Sequence, residues 1–221
     1  MNFEKKDEKY FNSREKKAEK IIKELSEEGI SPNKKLKVLE VGCNHGFITY
    51  HLASKTKWDM YGGDVNKKNL NKYPWIKSKA KIKYLDATKM SFNNNEFDVV
   101  IYNHVIEHIP EWKKTILEIY RVLKKGGILY LATPNLHRKL VGPKVLLKRK
   151  NNLDNEVRIN NHMGFSVQEI KKMLKEFKQI KVINKKHFIT KTFFPVNHLL
   201  KLVPNKLYER YAQTNVVIAR K

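Results

Sequence analysis

The stretch YNHVIEHIP, residues 102–110, sets two histidines and a glutamate within five positions: His104, Glu107 and His108. Such a group has three readings. It can hold a divalent metal ion. One imidazole can act as a general base with the carboxylate as its partner. Or a strand simply runs into a helix here, and the side chains cap and pack. The choice turns on what gathers at comparable places along the chain. LEVGCNHGF brackets a tight turn between Gly42 and Gly46, where missing side chains let backbone approach a ligand closely. It lacks the G-x-G-x-x-G of a dinucleotide site. Asp64 closes MYGGD, where a carboxylate can accept both hydroxyls of a ribose. Asp86 in YLDAT is placed to accept a hydrogen bond from an exocyclic amino group.

These residues need elements to position them. KKAEKIIKELSEEGI predicts a helix with Ala18, Ile21, Ile22 and Leu25 on one face, ended by Gly29. LKVLEVG, WDMYGGD, KIKYLDA, FDVVIYN and ILYLATPN read as five strands, the last ended by Pro134. GFITYHLASK and EWKKTILEIYRVLKKGG read as helices, the second closed by its Gly-Gly pair. SVQEIKKMLKEF predicts a helix capped by Ser166, and IKVINKKHFIT and NVVIARK two late strands. Strand and helix alternate, the pattern of an α/β fold with a mostly parallel sheet and helices on both faces. In such sheets ligands sit beyond the carboxyl ends of the strands. Gly42, Asp64 and Asp86 fall at three successive ends, and that ordering makes three weak signals a strong one.

Composition narrows the class. The chain has 221 residues, 41% hydrophobic and 31% charged, enough for one substantial core. The organisation expected is an N-terminal helical segment over 1–34 and a single domain over 35–221. Irregular insertions at about 135–165 and 191–213 are long enough to serve as lids. The charged N-terminus has no apolar core of a secretory signal, and Cys43 is the only cysteine. A cytoplasmic setting is expected. The net charge of +24 invites a polyanionic partner. Lysine is spread so evenly, however, that most of it reads as solvated surface. HRKLVGPKVLLKRK, residues 137–150, rises above that background and mixes cations with leucine and valine, as FFPVNHLLKLVPNKLYERY does later. Such amphipathic segments fit an anionic acceptor or peripheral contact with a membrane surface. Nothing in the sequence sets an oligomeric state.

Residues 36–135 taken together resemble the class I S-adenosylmethionine-dependent methyltransferases, nearest to the ubiquinone-pathway O-methyltransferases. VLEVGCNHG resembles that family's E/D-x-G-x-G-x-G loop, GGDVN its acidic ribose position, and LDATKMSFNNNEFDVV its adenine segment and fourth strand. LKKGGILYLATPN resembles its L-K-P-G-G turn and fifth strand. The resemblance implies a Rossmann-like seven-stranded sheet with a reversed C-terminal strand. It also implies S-adenosyl-L-methionine bound by Glu40, Gly42, Cys43, Asn44, Gly46, Asp64, Val65, Asp86, Ala87 and Asn103. The family's central glycine is replaced by Asn44, a residue that tolerates positive φ, so the turn is expected to survive. Cys43 is read as a packed side chain whose backbone meets ligand.

Some relatives carry E-x-x-E-H in place of His104-x-x-Glu107-His108 and bind a divalent ion with it. On a helical face, residues at i, i+3 and i+4 could share one ion. His162 resembles the family's next histidine and would be a fourth ligand. Three imidazoles and a carboxylate suit zinc or another transition ion better than magnesium. Without metal, His104 or His108 is the candidate base. The reading favoured is O-methylation of a small-molecule or lipid- or sugar-linked acceptor. Metal-assisted 2′-O-methylation of RNA is the alternative, less favoured because no added nucleic-acid module is visible.

Overall fold

The computed structural model describes residues 5–135, 164–183 and 214–221. In chain order these form α1 (Lys5–Ser26), β1 (Lys37–Val41), α2 (Phe47–Lys55), β2 (Asp59–Asp64), α3 (Lys67–Lys72), β3 (Lys81–Tyr84) and β4 (Phe97–Asn103). Then follow α4 (Trp112–Val122), β5 (Leu123–Pro134), α5 (Val167–Met173), β6 (Gln179–Val182) and β7 (Thr214–Arg220). The insertions expected at 135–165 and 191–213, with the basic cluster 137–150, lie almost wholly outside the described residues.

The strands form a seven-stranded sheet in the order β3-β2-β1-β4-β5-β7-β6. β1 runs parallel to β2 and β4, and β2 parallel to β3. β6 and β7 pair antiparallel, which is the reversed C-terminal strand expected. The order moves outward from β1 to β3 and then returns to β4. It therefore reverses between β1 and β4, the place where an open α/β sheet receives ligands. Among the described residues no helix is long and apolar enough to cross a membrane.

The chain divides into two compact units. The first comprises residues 1–103, 111–130 and Lys221. Its two central strands are buried, as inner parallel strands are: Val38, Leu39 and Val41 of β1 and Val99–Tyr102 of β4. α1 buries Phe11, Ala18, Ile21 and Leu25 at helical spacing, whereas the predicted Ile22 is half-exposed. Glu24 takes a buried place on that face because Tyr130 Oη donates to its Oε2 at 2.8 Å. α4 buries Thr115, Ile116, Ile119 and Val122 and ends at Val122. The Gly-Gly pair predicted to stop this helix instead lies inside β5. Gly126 has φ 75°, and the backbone of Gly126 and Gly127 exchanges hydrogen bonds with Lys221. The helix ends earlier because Leu123 is already extended and buried.

The second unit comprises residues 104–110 and 131–220. In it α5 starts with a full capping box. Ser166 Oγ accepts from Glu169 N–H at 3.2 Å, and Glu169 Oε2 accepts from Ser166 N–H at 2.7 Å. Asn215 Nδ2 donates to Phe165 O at 2.8 Å, fixing the segment before α5 to β7.

In the first unit two glycines fix how closely the cofactor-side elements approach β2. A Cβ on Gly62 would meet Ile82 Cδ1 at 2.6 Å and Thr49 Oγ1 at 2.9 Å; one on Gly63 would meet Leu85 Cβ at 2.4 Å. Gly63→Ala is therefore expected to lower stability by about 1–3 kcal/mol, the usual cost of overpacking. Urea unfolding of the two proteins checks this, and an unchanged midpoint would refute the close packing.

Candidate active site

The loop from β1 to α2 is built from alternating backbone hands. Gly42, Asn44 and Gly46 have φ of 74°, 53° and 80°. The asparagine thus adopts the left-handed conformation expected of it. Gly42 and Cys43 N–H both donate to Gly63 O, at 2.7 and 3.0 Å, so the loop is tied to the end of β2. Asp64 completes the tie: Oδ2 accepts from Asn44 N–H at 2.8 Å and Oδ1 from Asn66 N–H at 2.9 Å. Asn69 Nδ2 donates to Asn44 Oδ1 at 2.6 Å, and Asn66 caps α3 through Asn69 N–H. Each Asp64 oxygen retains a second acceptor direction.

Beneath the loop, Glu40 is buried and accepts a short hydrogen bond from Thr49 Oγ1 of α2. Burial pushes its carboxyl up to about 7, opposed by the Thr49 bond and reinforced by the nearby negative charge of Asp64. Glu40 therefore shapes the loop from below. Cys43 is buried too, and burial holds its thiol well above the ordinary range, which fits packing and not nucleophilic work. Gly62, which sequence reading passed over, is what lets Cys43 and Thr49 of α2 come so close, and Gly63 makes room for Leu85 in the same way.

The remaining positions read as cofactor contacts also lie in this first unit. Val65 is exposed after Asp64. Asp86 Oδ1 accepts from both Thr88 N–H (2.8 Å) and Thr88 Oγ1 (2.7 Å), which holds the carboxyl below its usual range, with buried Ala87 beside it. At the end of β4, Asn103 Oδ1 is buried and has no hydrogen-bond partner among the described residues. A buried acceptor left unpaired is costly, which marks it as a place for a donor that the described residues do not supply.

The HVIEH segment belongs to the second unit. His104 has φ 56°, a strained conformation for a side chain of its size, held by its N–H donating to Ala132 O at 2.7 Å. Its Nδ1 lies 3.3 Å from Glu107 Oε1, and Thr133 Oγ1 donates to Glu107 Oε2 at 3.3 Å. Glu107 is buried; the His104 ring is part-exposed and His108 is exposed. The expectation of one helical face shared by 104, 107 and 108 is corrected. Residues 106–108 form a single 3-10 turn and His104 precedes it in a left-handed conformation. His104 therefore meets Glu107 from outside the turn, and the three residues do not lie on one α-helical face. Among the described residues no three His, Cys, Asp or Glu side chains gather to hold a metal ion. His162, the fourth ligand expected, lies outside the described residues.

Sheet order, glycine loop and acidic strand ends are those that the resemblance to the class I S-adenosylmethionine-dependent methyltransferases implies. Residues 39–131 match the methyltransferase domain family. The chain is 32% identical over 139 residues to the ubiquinone biosynthesis O-methyltransferase of Pelagibacter ubique, covering 59% of this chain and 58% of that protein. It is 29% identical over 144 residues to the ajmaline N-methyltransferase of Rauvolfia serpentina, covering 62% of this chain and 47% of that one. The matches thus span about half the length of these curated relatives. In fold it resembles a SAM-dependent methyltransferase from Archaeoglobus fulgidus, with a TM-score of 0.62, 18% identity, and 92% and 94% of the two chains covered. It also resembles phosphoethanolamine N-methyltransferase 2 of Haemonchus contortus, solved with S-adenosyl-L-methionine, with a TM-score of 0.60, 18% identity, and 86% and 49% covered.

The buried Glu40 gives a pH signature. Its folded-state pKa, about 7, lies above the ordinary value of 4.5, so the folded state binds this proton more tightly. Its contribution is complete below the unfolded pKa and is lost as pH rises through about 7. Glu40→Gln should remove that loss. Chemical unfolding across this range should show wild type falling relative to the variant; parallel curves would contradict a buried, protonated Glu40.

Proposed function

We propose that this protein transfers the methyl group of S-adenosyl-L-methionine to a hydroxyl of a small-molecule or lipid- or sugar-linked acceptor. The observation that carries the proposal is the Gly42–Gly46 loop, folded in three left-handed steps and fixed to Asp64. Backbone at Gly42, Cys43, Asn44 and Gly46 would line the methionine portion, with Glu40 supporting it from below. Asp64 would accept the ribose hydroxyls through its remaining acceptor directions, Val65 would cover the adenine, and Asp86 with Ala87 would meet its edge. Asn103 Oδ1 would accept from the methionine ammonium, which supplies the donor that this buried oxygen lacks. Bound there, the cofactor supplies an activated methyl on a sulfonium. The protein's task is to align an attacking oxygen with it.

A hydroxyl must lose its proton as it attacks, and His104 is the group assigned to take it. In the tautomer that donates Nδ1–H to Glu107, Nε2 is the nitrogen left to accept the proton. Thr133 steadies Glu107 in turn. His108 lies off this line and is assigned no proton transfer. No step is routed through a metal. The ubiquinone-pathway relatives at about a third identity favour a hydroxyl acceptor.

Two variants test the division of labour. Asp64→Ala should weaken S-adenosylmethionine binding at least about tenfold, or about 1.4 kcal/mol, by calorimetry; unchanged affinity would remove Asp64 from the site. His104→Ala should lower turnover roughly 10²-fold or more with cofactor affinity kept. The readout is transfer of labelled methyl to a panel of phenolic and lipid-linked hydroxyl compounds, with RNA included as a competing acceptor class. Equal turnover in both proteins would dismiss His104 as the base.

A further inference from the structure

Position 44 carries a side chain where a bare glycine would leave the most room. Asn44 is the middle one of three left-handed residues in the loop, with φ 53° between those of Gly42 and Gly46. Its two neighbours of that hand have no side chain, which lets backbone approach a ligand closely. Asn44 brings a carboxamide into the same curve. Its backbone is held in place, because Asp64 Oδ2 accepts from its N–H at 2.8 Å. Room for a ligand therefore depends on where the side chain is kept.

One residue keeps it. Asn69 Nδ2, on α3, donates to Asn44 Oδ1 at 2.6 Å across 25 residues of chain. The other hydrogen bonds of Asn69 are made by its backbone. Its N–H donates to Asn66 Oδ1 at 3.1 Å and so caps α3, and its carbonyl lies 3.3 Å from His45 Nδ1. The His45 ring packs in turn on Phe47 and Tyr73. Among the described residues the Asn69 side chain has no other hydrogen bond, so the cap and the anchoring of His45 do not depend on it. The loop holds its own shape without this bond as well. Gly46 N–H closes on Cys43 O, and Gly63 O with Asp64 ties the loop to β2. What the Asn69 amide decides is the direction of the Asn44 side chain, since it selects one of the few staggered positions open to it.

We propose that Asn69 is a positioning residue for the methyl donor, acting through Asn44: it draws the carboxamide toward α3 and out of the space the ligand enters. This rests on the reading of the Gly42–Gly46 loop as the cradle of S-adenosyl-L-methionine. Released from Asn69, the Asn44 side chain turns to another staggered position and competes with the ligand for the cradle. Two side chains together thus supply the clearance that a glycine at 44 would have by itself. Asn69 is then needed only while residue 44 has a side chain.

That dependence is read by a double-mutant cycle on the full chain, with S-adenosylhomocysteine affinity measured by calorimetry. Asn69→Ala should weaken binding about tenfold, which is about 1.4 kcal/mol. Asn44→Gly should stay within about threefold of wild type, and the double variant should match Asn44→Gly. Rescue by removing a second side chain is a result that a merely structural Asn69 does not give. In that case the double variant would bind as weakly as Asn69→Ala or worse, and the proposal would be overturned. Asn69→Ala binding like wild type would overturn it as well. So would a tenfold loss in Asn44→Gly alone, which would make the carboxamide a contact and not an obstacle. Should Asn69→Ala not fold, Asn69→Leu, which fills similar space without a donor, takes its place in the cycle with the same pattern expected. Wild-type protein that does not bind S-adenosylhomocysteine would overturn the cofactor reading itself.

Discussion

The carboxylate of Asp64 holds the site together before any ligand arrives. One oxygen fixes Asn44 N–H in the glycine loop and the other fixes Asn66 N–H at the start of α3. The glycine loop and the start of α3 are thereby set against a single strand end, and the left-handed steps of the loop have something to brace against. Gly63 adds its carbonyl to the same junction by accepting from Gly42 and Cys43, and Gly46 N–H closes the loop on Cys43 O. These partners hold the loop in shape through its own backbone. Such preorganisation lets binding energy go to the ligand and not to ordering the protein.

Much of this was legible from residue types. Left-handed backbone at Gly42 and Gly46 follows from glycine, and at Asn44 from the tolerance of asparagine for that conformation. The strands were legible because buried parallel strands are short apolar runs closed by turn residues, as in LKVLEVG and FDVVIYN. The reversed C-terminal strand was not readable from periodicity; it came through resemblance, and the sheet bears it out. What failed did so for local reasons. A helical pattern continues through LKKGG, yet Leu123 turns extended because its side chain is wanted in the core of β5. HVIEH has helical spacing on paper, but the chain makes only one 3-10 turn after a strained His104. Spacing arguments assume an α-helix, and here the helical geometry begins only after His104.

Gly62 and Gly63 escaped the sequence reading for a different reason: their importance lies in what a methyl group would strike, at 2.6 and 2.4 Å.

Cys43 turns the loop's packing into a clock. It is the chain's only thiol, it lies under the loop between β1 and α2, and its sulfur sits within 3.1 Å of where a side chain on Gly62 would begin. Burial keeps it protonated, so it reacts with an alkylating reagent only when the loop lifts from β2. The rate of labelling at low reagent therefore measures the free energy of that local opening, without mutation or added probe. Ligands that seat against the loop will slow it by the factor through which they favour the closed state.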